Sequence, residues 1–399
     1  MIIVEVLFFS SVVLMAYAYI GYPVMVWLLS RLLPRPVYKA DIYPRISIVI
    51  TAHNEERRIA AKLENTLLLD YPMQALEIIV ASDCSSDRTE QIVRDCANSS
   101  GRPIKLYRQA ERLGKTVAQH RGVQQSTGEI IVLSDATTLY EPDALKMLVR
   151  NFADPEVGCV AGQLTYVSRA QTSVGKSCNS YWNYEKIIKQ SESNLGSLIG
   201  VSGCLYAVRR SCFSQLAPAM IDDFVIASEI HLQGRRIVYE PAAIAIEDTN
   251  SRGRDEFRMR VRVIEQTFNA LYHYRRILSL KHHGMFAFQM ISHKVIRYLI
   301  PLLLFIAFIS NLVLIGVSPI FLIGFAGQIL FYVAALVGFV GDRFGLKLGL
   351  LGAPYYFILI NAAIIAAFWK FMRGEAHITW SPLREEYSQK AVTSAVGSR

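Results

Sequence analysis

The chain has no CxxC pair and no His/Cys cluster at metal-ligand spacing. Its six cysteines, Cys84, Cys96, Cys159, Cys178, Cys204 and Cys212, are scattered. That excludes a zinc ribbon or a disulfide framework and fits reduced thiols in a cytosolic domain. Charge is missing from the start: the first 30 residues hold a single charged side chain, Glu5, and no basic residue precedes Arg31. With neither a basic start nor a small-residue cleavage site, this stretch does not read as a secretory signal peptide. Internal repeats and low-complexity stretches are also lacking, and no nucleic-acid-binding module is recognisable, so the net charge of +9 is not read as a sign of nucleic-acid binding.

What the sequence has in quantity is apolar surface: 52 % of its 399 residues are hydrophobic, and the mean hydropathy is +0.28. Residues 1–33 exceed the roughly 20 residues that cross a bilayer and read as an uncleaved transmembrane helix. Arg31, Arg35 and Lys39 follow it, which places the chain start outside and the following domain in the cytoplasm. Basic residues gather again at Arg252, Arg254, Arg258, Arg260, Arg262, Arg275, Arg276 and Lys281, where anionic lipid headgroups or phosphates would meet them. Residues 281–298, with Lys294 and Arg297 on one face, read as an amphipathic helix lying in the interface. Residues 299–373 hold three further spans, and 374–399 form a polar tail. One span before the domain and three after it would leave the tail outside, against the basic character of Lys370, Arg373 and Arg384; either one segment is re-entrant or the tail breaks the charge rule.

Between these regions, residues 40–280 alternate short β-branched runs with amphipathic stretches, the rhythm of an α/β domain. "RISIVITAHNEE", "LEIIVASDCSSD", "IKLYRQ" and "EIIVLSDATT" read as strands, and the segments between them as helices. Ligands of open parallel sheets bind beyond the carboxyl ends of the strands. Asn54, Glu55, Asp83, Asp87 and Asp135 fall at those ends. Any one of them reads equally as a cap or turn residue, but their recurrence at successive strand ends points to a nucleotide pocket.

The motifs "TAHNEE", "VASDCSSDRT", "GKTVAQHRG", "SDATTLYEPDAL", "VSGCLYAVRR" and "DDFVIASEIHLQGRRIVYEP" occur in the order seen in the inverting, membrane-integrated glycosyltransferases of family 2. The chain resembles that family, whose relatives include cellulose, hyaluronan and poly-N-acetylglucosamine synthases and bacterial exopolysaccharide glycosyltransferases. The resemblance implies a GT-A nucleotide-sugar-binding domain, a mostly parallel mixed sheet flanked by helices, joined to transmembrane helices. It implies a multi-pass protein of the cell membrane with its catalytic domain in the cytoplasm. The donor would be a nucleotide sugar, with UDP the expected nucleotide, and the acceptor a lipid-linked or growing saccharide. Membrane lipids and polysaccharide-assembly subunits are further partners on this reading.

By the same resemblance Thr51, His53 and Glu55 line the base and ribose site, Asp83 contacts the base, and Lys115 lies near the nucleotide. Asp135 serves a Mg2+ or Mn2+ ion on the diphosphate. The family motif continues Asp, any residue, Asp, but the third position here is Thr137, a neutral hydroxyl that implies a weaker ligand. In "IDDFVIASEI", Asp223 would be the base that takes the acceptor proton, and Asp222 would bias its pKa through like charge; two acids opening a helix are also what a helix N-terminus favours. Ser202, Gly203 and Cys204 are acceptor-side candidates.

Processive synthases carry a Gln-x-x-Arg-Trp signature where this chain reads Met259, Arg260, Val261, Arg262, Val263. Arg262 survives as a diphosphate partner, but the stacking tryptophan is lost. Trp380 and Arg384 match a Trp and Arg after the last span of many relatives and read equally as interface anchors. Three alternatives stay open: a processive polysaccharide synthase, a polyprenyl-phosphate monosaccharide transferase, and a non-catalytic membrane assembly subunit.

Overall fold

The computed structural model describes residues 1–167, 173–215, 220–248, 253–346 and 349–375. Trp380, Arg384 and Arg252 lie outside them, as does the tail beyond residue 375. The described chain divides into two compact units. One comprises Arg35–Val167 and Gly196–Glu247; the other comprises Met1–Pro34, the helix Ser173–Leu195 and the described residues of 248–375.

In chain order the elements begin with α1 (Ile2–Ala16), a π-helical turn (Tyr17–Gly21) and α2 (Tyr22–Leu32). There follow β1 (Ile46–Ala52), α3 (Ile59–Leu67), β2 (Leu76–Ser82), α4 (Thr89–Ser100), β3 (Ile104–Arg108), α5 (Lys115–Gln124) and β4 (Ile130–Asp135). Next come β5 (Leu139–Tyr140), α6 (Ala144–Val149), β6 (Val157–Val167), α7 (Ser173–Leu195), β7 (Leu205–Arg209), α8 (Asp222–Leu232) and β8 (Arg236–Asp248). The chain closes with α9 (Gly253–His273), α10 (Leu280–Met290), a second π turn (Ile291–Val295), α11 (Ile296–Leu314), α12 (Pro319–Arg343) and α13 (Gly352–Met372).

The first unit named is a mixed eight-stranded sheet in the order β3-β2-β1-β4-β7-β6-β8-β5. Its β3-β2-β1-β4 part is parallel, and β7 pairs antiparallel with both β4 and β6. The sequence of β1, ISIVITA, explains its central place: every residue is buried, as a strand covered on both faces requires. Ile46, Ile48 and Ile50 pack with Ile59, Leu63, Ile78, Val80, Leu145 and Leu148 on one side. On the other side α5 approaches closely at Gly122, where a Cβ would stand 2.5 Å from Val49 Cγ1. Burial of one such isoleucine contributes about 1.5–3 kcal/mol.

The second unit is helical. Four helical runs, Ile2–Leu32, Leu280–Leu314, Pro319–Arg343 and Gly352–Met372, are long and apolar enough to cross a membrane. Large apolar side chains such as Phe305, Ile323 and Leu330 point outward from them, as lipid-facing positions would. The stretch read as an interfacial helix, 281–298, kinks at Gly284, where φ is +48°, and from there runs on into the next span. Arg297 does not face headgroups. It is buried and donates to Glu185 on α7, while the two ring nitrogens of His293 lie 2.7 Å from Glu192 and 3.0 Å from Glu185. Arg260 likewise turns inward, to Glu256 at 2.8 Å and the Tyr356 hydroxyl at 2.9 Å. Charge beside an apolar segment pairs here with buried acids, which sequence proximity to lipid does not reveal.

Candidate active site

The loop after β1 is laced to the loop after β2. Asn54 and Cys84 both take left-handed backbone, with φ of 55° and 54°, a conformation Asn tolerates better than most side chains. In this shape Asn54 N–H donates to Ser85 Oγ (3.1 Å), and Ser86 N–H donates to Asn54 Oδ1 (2.8 Å). Glu55 N–H reaches Thr89 Oγ1 (2.8 Å), and Glu56 N–H reaches Asp87 Oδ2 (3.1 Å). His53, nearly buried, points its Nδ1 at the Asp83 carbonyl oxygen, 2.7 Å away, so that nitrogen carries the proton. The Glu55 carboxyl is pushed up to about 7 by burial, opposed by Arg58 and assisted by Asp135 and Asp87.

Asp83 is fully buried, and its carboxylate accepts from Gln109 Nε2 (2.6 Å), Leu113 N–H (2.8 Å) and Gly114 N–H (3.0 Å). It therefore fixes the segment that leads into α5. Gly114 has φ of +95°, a backbone that a side chain would strain, and this turn delivers Lys115 to the centre of the site. The Lys115 ammonium lies 2.8 Å from Asp135 Oδ1, 3.4 Å from Asp222 Oδ2 and 3.3 Å from the Gly203 carbonyl. Burial works against its charge, and Asp135 and then Asp222 more than reverse this, holding its pKa above the usual lysine range.

Asp135 ends β4 directly beside Thr51 on β1, whose hydroxyl lies 3.4 Å from Asp135 Oδ1. Two residues on, Thr137 Oγ1 donates to Glu247 Oε1 at 3.0 Å. The β5–β8 pairing, Leu139 opposite Ile246, brings Glu247 there. Burial and the Asp135 charge push the Glu247 carboxyl up to about 7, and the Thr137 hydrogen bond opposes them. Beneath lies Lys62, fully buried, its Nζ donating to the Thr138 carbonyl at 2.7 Å and standing 3.6 Å from the Tyr140 ring centre. Burial lowers its pKa to about 7, against the charges of Asp135, Cys204 and Glu247.

On the other side of Lys115, Asp222 and Asp223 open α8. Asp222 is buried and accepts from Gln119 Nε2 at 2.8 Å, whereas Asp223 is half-buried and its main-chain carbonyl receives Val201 N–H at 3.0 Å. Ser202 and Cys204 are buried, and the Cys204 carbonyl accepts from the Tyr140 hydroxyl at 2.9 Å. Gly203 faces the acids: a Cβ there would stand 3.5 Å from both Asp222 Oδ1 and Lys115 Nζ.

Thr51, Lys115, Asp135, Thr137, Gly203 and Asp222 are thus brought into one connected set, with Asp223 beside it. His53 and Asp83 serve the loops that flank it. Arg262 belongs to the helical unit, on α9 next to Val261, which packs against α13. Glu247, Lys62 and Gln119 were not anticipated from the sequence. Among the described residues no group of three or more His, Cys, Asp or Glu side chains is arranged to hold a metal ion. The oxygen donors around Asp135 are hard ones, its own carboxylate, that of Glu247 and the Thr51 and Thr137 hydroxyls, a kind that suits Mg2+ or Mn2+ when phosphate and water complete the shell.

Residues 47–216 match the family model "Glycosyl transferase family 2". A poly-beta-1,6-N-acetyl-D-glucosamine synthase of Staphylococcus aureus is 26 % identical over 216 residues, 53 % of this chain and 51 % of the relative. A probable glycosyltransferase of Bacillus subtilis, YdaM, is 29 % identical over 231 residues, 55 % of this chain and 54 % of the relative. The chain spans about half the length of the curated relatives it matches. A mannosyltransferase from Pyrobaculum calidifontis, solved with GDP-Man and Mn2+, is similar in structure with a TM-score of 0.69 at 24 % identity, covering 92 % of this chain and 99 % of that one. The mixed sheet flanked by helices and the long apolar helices expected from the sequence are therefore the architecture of a known glycosyltransferase fold.

Proposed function

We propose that this member of glycosyltransferase family 2, which carries four helices long and apolar enough to cross a membrane, is an inverting β-glycosyltransferase. It takes a sugar from a nucleoside diphosphate donor, with UDP as the nucleotide, at the cytosolic face. The sugar passes to a lipid-linked or growing saccharide in polysaccharide synthesis. A N-acetylhexosamine or hexose is the transferred group, as the kinship with a poly-beta-1,6-N-acetyl-D-glucosamine synthase suggests.

The observation that carries this reading is the single ammonium of Lys115 between Asp135 and Asp222. Asp135 stands at the family's donor-side acid, and Asp222 adjoins the acid at the family's base position. One cation between them fits a site where a diphosphate leaves on one side while a hydroxyl is deprotonated on the other. Asp223, the less buried of the α8 pair, takes the acceptor proton as its oxygen attacks the anomeric carbon. Lys115 meets the charge that develops on the leaving diphosphate. Asp135, with Thr137 nearby, would hold Mg2+ or Mn2+, which when bound would supply Lewis-acid stabilisation of the same diphosphate. Thr51, His53, Glu55 and Asp83 shape the nucleoside side, Arg262 adds a guanidinium for phosphate, and Ser202, Gly203 and Cys204 border the acceptor. Val263 offers no stacking platform for a long product, which favours one or a few transfers over processive synthesis.

The test is nucleotide release from UDP-glucose, UDP-N-acetylglucosamine, UDP-galactose and GDP-mannose by the detergent-purified protein, with membrane lipid restored, beside Asp223→Asn. Metal-dependent release from one UDP-sugar, lost in the variant, supports the reading. Release only from GDP-mannose corrects the nucleotide, and equal traces from both proteins favour a non-catalytic assembly subunit. Gel analysis of the product then separates a single-sugar lipid from a polymer.

A further inference from the structure

We propose that Glu247 supplies the carboxylate that the sequence lacks at position 137, so that the divalent cation of this site is held by Asp135 and Glu247 together, with Thr137 orienting Glu247. This rests on the reading of the site as a nucleoside diphosphate pocket and adds to it a residue from a different strand.

Three observations carry the inference. First, the hydroxyl of Thr137 is not directed at Asp135 but donates to Glu247 Oε1 at 3.0 Å, so a carboxylate from β8 lies beside the position where a second acid on the β4 loop would be. Second, the placement is rigid. Leu139 and Tyr140 pair in register with Ile246 and Ala245, and the Tyr140 hydroxyl is tied to the Cys204 carbonyl at 2.9 Å; a ligand carried by a paired strand is held better than one on a free loop. Third, the Lys115 ammonium is already engaged. Asp135 and Asp222 share that one ammonium, and Glu247 forms no ion pair among the described residues. Its Thr137 hydrogen bond leaves the other carboxylate oxygen available, and the residue is half-buried, so an ion can reach it.

In this arrangement Thr137 is a positioning residue. Its hydroxyl spends its hydrogen on Glu247, just as the outer partners of metal ligands fix the orientation of the ligand itself. An oxygen-only set of two carboxylates leaves the remaining positions of an octahedral ion to phosphate oxygens and water, the usual division of labour for Mg2+ and Mn2+ at nucleotide sites.

The experiment measures Mn2+ binding by the electron paramagnetic resonance of free Mn2+, on detergent-purified full-length protein, alone and with UDP or GDP. Wild type is compared with Glu247→Gln, Asp135→Asn, Thr137→Val and the double variant Thr137→Asp/Glu247→Gln, each checked for its thermal transition. Expected are a loss of affinity of about 100-fold or more in Glu247→Gln and Asp135→Asn, about tenfold in Thr137→Val, and recovery to near wild type in the double variant. Wild-type affinity in a folded Glu247→Gln, with Asp135→Asn impaired, overturns the role of Glu247 and leaves the proposed transferase intact. If Glu247→Gln does not fold, Thr137→Val decides: weakened Mn2+ binding in a folded Thr137→Val supports Glu247 as the ligand that Thr137 orients, and wild-type affinity there refutes it. Nucleotide release by wild type without any Mn2+ binding overturns the cation site alone. Absence of both release and nucleotide binding overturns the proposed function instead.

Discussion

Lys115 Nζ lies 2.8 Å from Asp135 Oδ1, and that ion pair joins the start of α5 to the end of β4. The lysine is only partly exposed, and its second carboxylate, Asp222, is buried. Replacing it removes the only side-chain cation that ion-pairs with either acid among the described residues. Lys115→Met is expected to lower kcat for nucleotide release by about 100-fold or more, the scale of losing one preorganised electrostatic contact. Lys115→Arg should restore part of it, because the charge returns but the geometry of a single ammonium between two acids does not. Unchanged kcat in Lys115→Met would remove the lysine from the chemistry.

The two acids that open α8 should respond differently to the same change. Asp222 is occupied by Gln119 and Lys115, whereas Asp223 is more open. Asp223→Asn removes the proposed base and is expected to reduce kcat by 10³-fold or more, near the upper range for general-base loss. Asp222→Asn keeps an acceptor for Gln119 and is expected to cost about tenfold, with its main effect a displaced acidic limb of the pH–rate profile. A reversed ranking, with Asp222 indispensable and Asp223 dispensable, would exchange their roles.

Lys62, Glu55 and Glu247 set a pH dependence of stability whose sign is fixed. The lysine falls from its ordinary 10.5 to about 7 on burial, so between those values the folded state holds fewer protons than the unfolded one, and stability rises with pH. The carboxyls rise from 4.5 to about 7, again chiefly through burial, so between pH 4.5 and 7 the folded state holds more protons and stability falls as pH rises. Together these groups place a minimum near pH 7. Thermal transitions of Lys62→Met should lack the rise between pH 7 and 10 that wild type shows, with the difference in transition temperature changing by roughly 5 °C across that window. Parallel curves for the two proteins would mean that the buried lysine is paired with a charge when folded.

How much of this was legible in the sequence follows from the range of each interaction. The strands of the parallel half announced themselves as β-branched runs, and the polar residues at their ends marked the pocket, because both signals are local. Asp135, Lys115 and Asp222 sit in separate motifs, and only their common membership in one site, known by resemblance, joined them in advance. Glu247 is 110 positions from the Thr137 that contacts it, and no local signal links the two. Lys62 is fully buried, and the apolar run around it does not reveal that its ammonium finds a carbonyl and a tyrosine ring. Arg260 and Arg297 were misread for the converse reason. A basic residue beside an apolar segment suggests lipid headgroups, while its partners, Glu256 and Glu185, belong to helical stretches that carry no sign of that pairing.

Gly203 offers the most selective probe of the acceptor side. Its missing side chain leaves space between Lys115 and Asp222, and an added Cβ would meet both at 3.5 Å, an ordinary contact distance. Gly203→Ala should therefore fold and retain activity within about threefold, since a small change that meets no clash usually costs under about 0.5–1 kcal/mol. Gly203→Val carries two further methyl groups into the space that bounds the acids, and there apolar bulk both excludes an acceptor hydroxyl and desolvates the carboxylates. The expected result is a drop of tenfold or more in transfer, with donor affinity nearly unchanged and the thermal transition lowered by only a few degrees. The contrast between acceptor and donor effects separates an acceptor-side glycine from one needed merely for packing, because a packing defect would lower the thermal transition and weaken donor binding along with transfer.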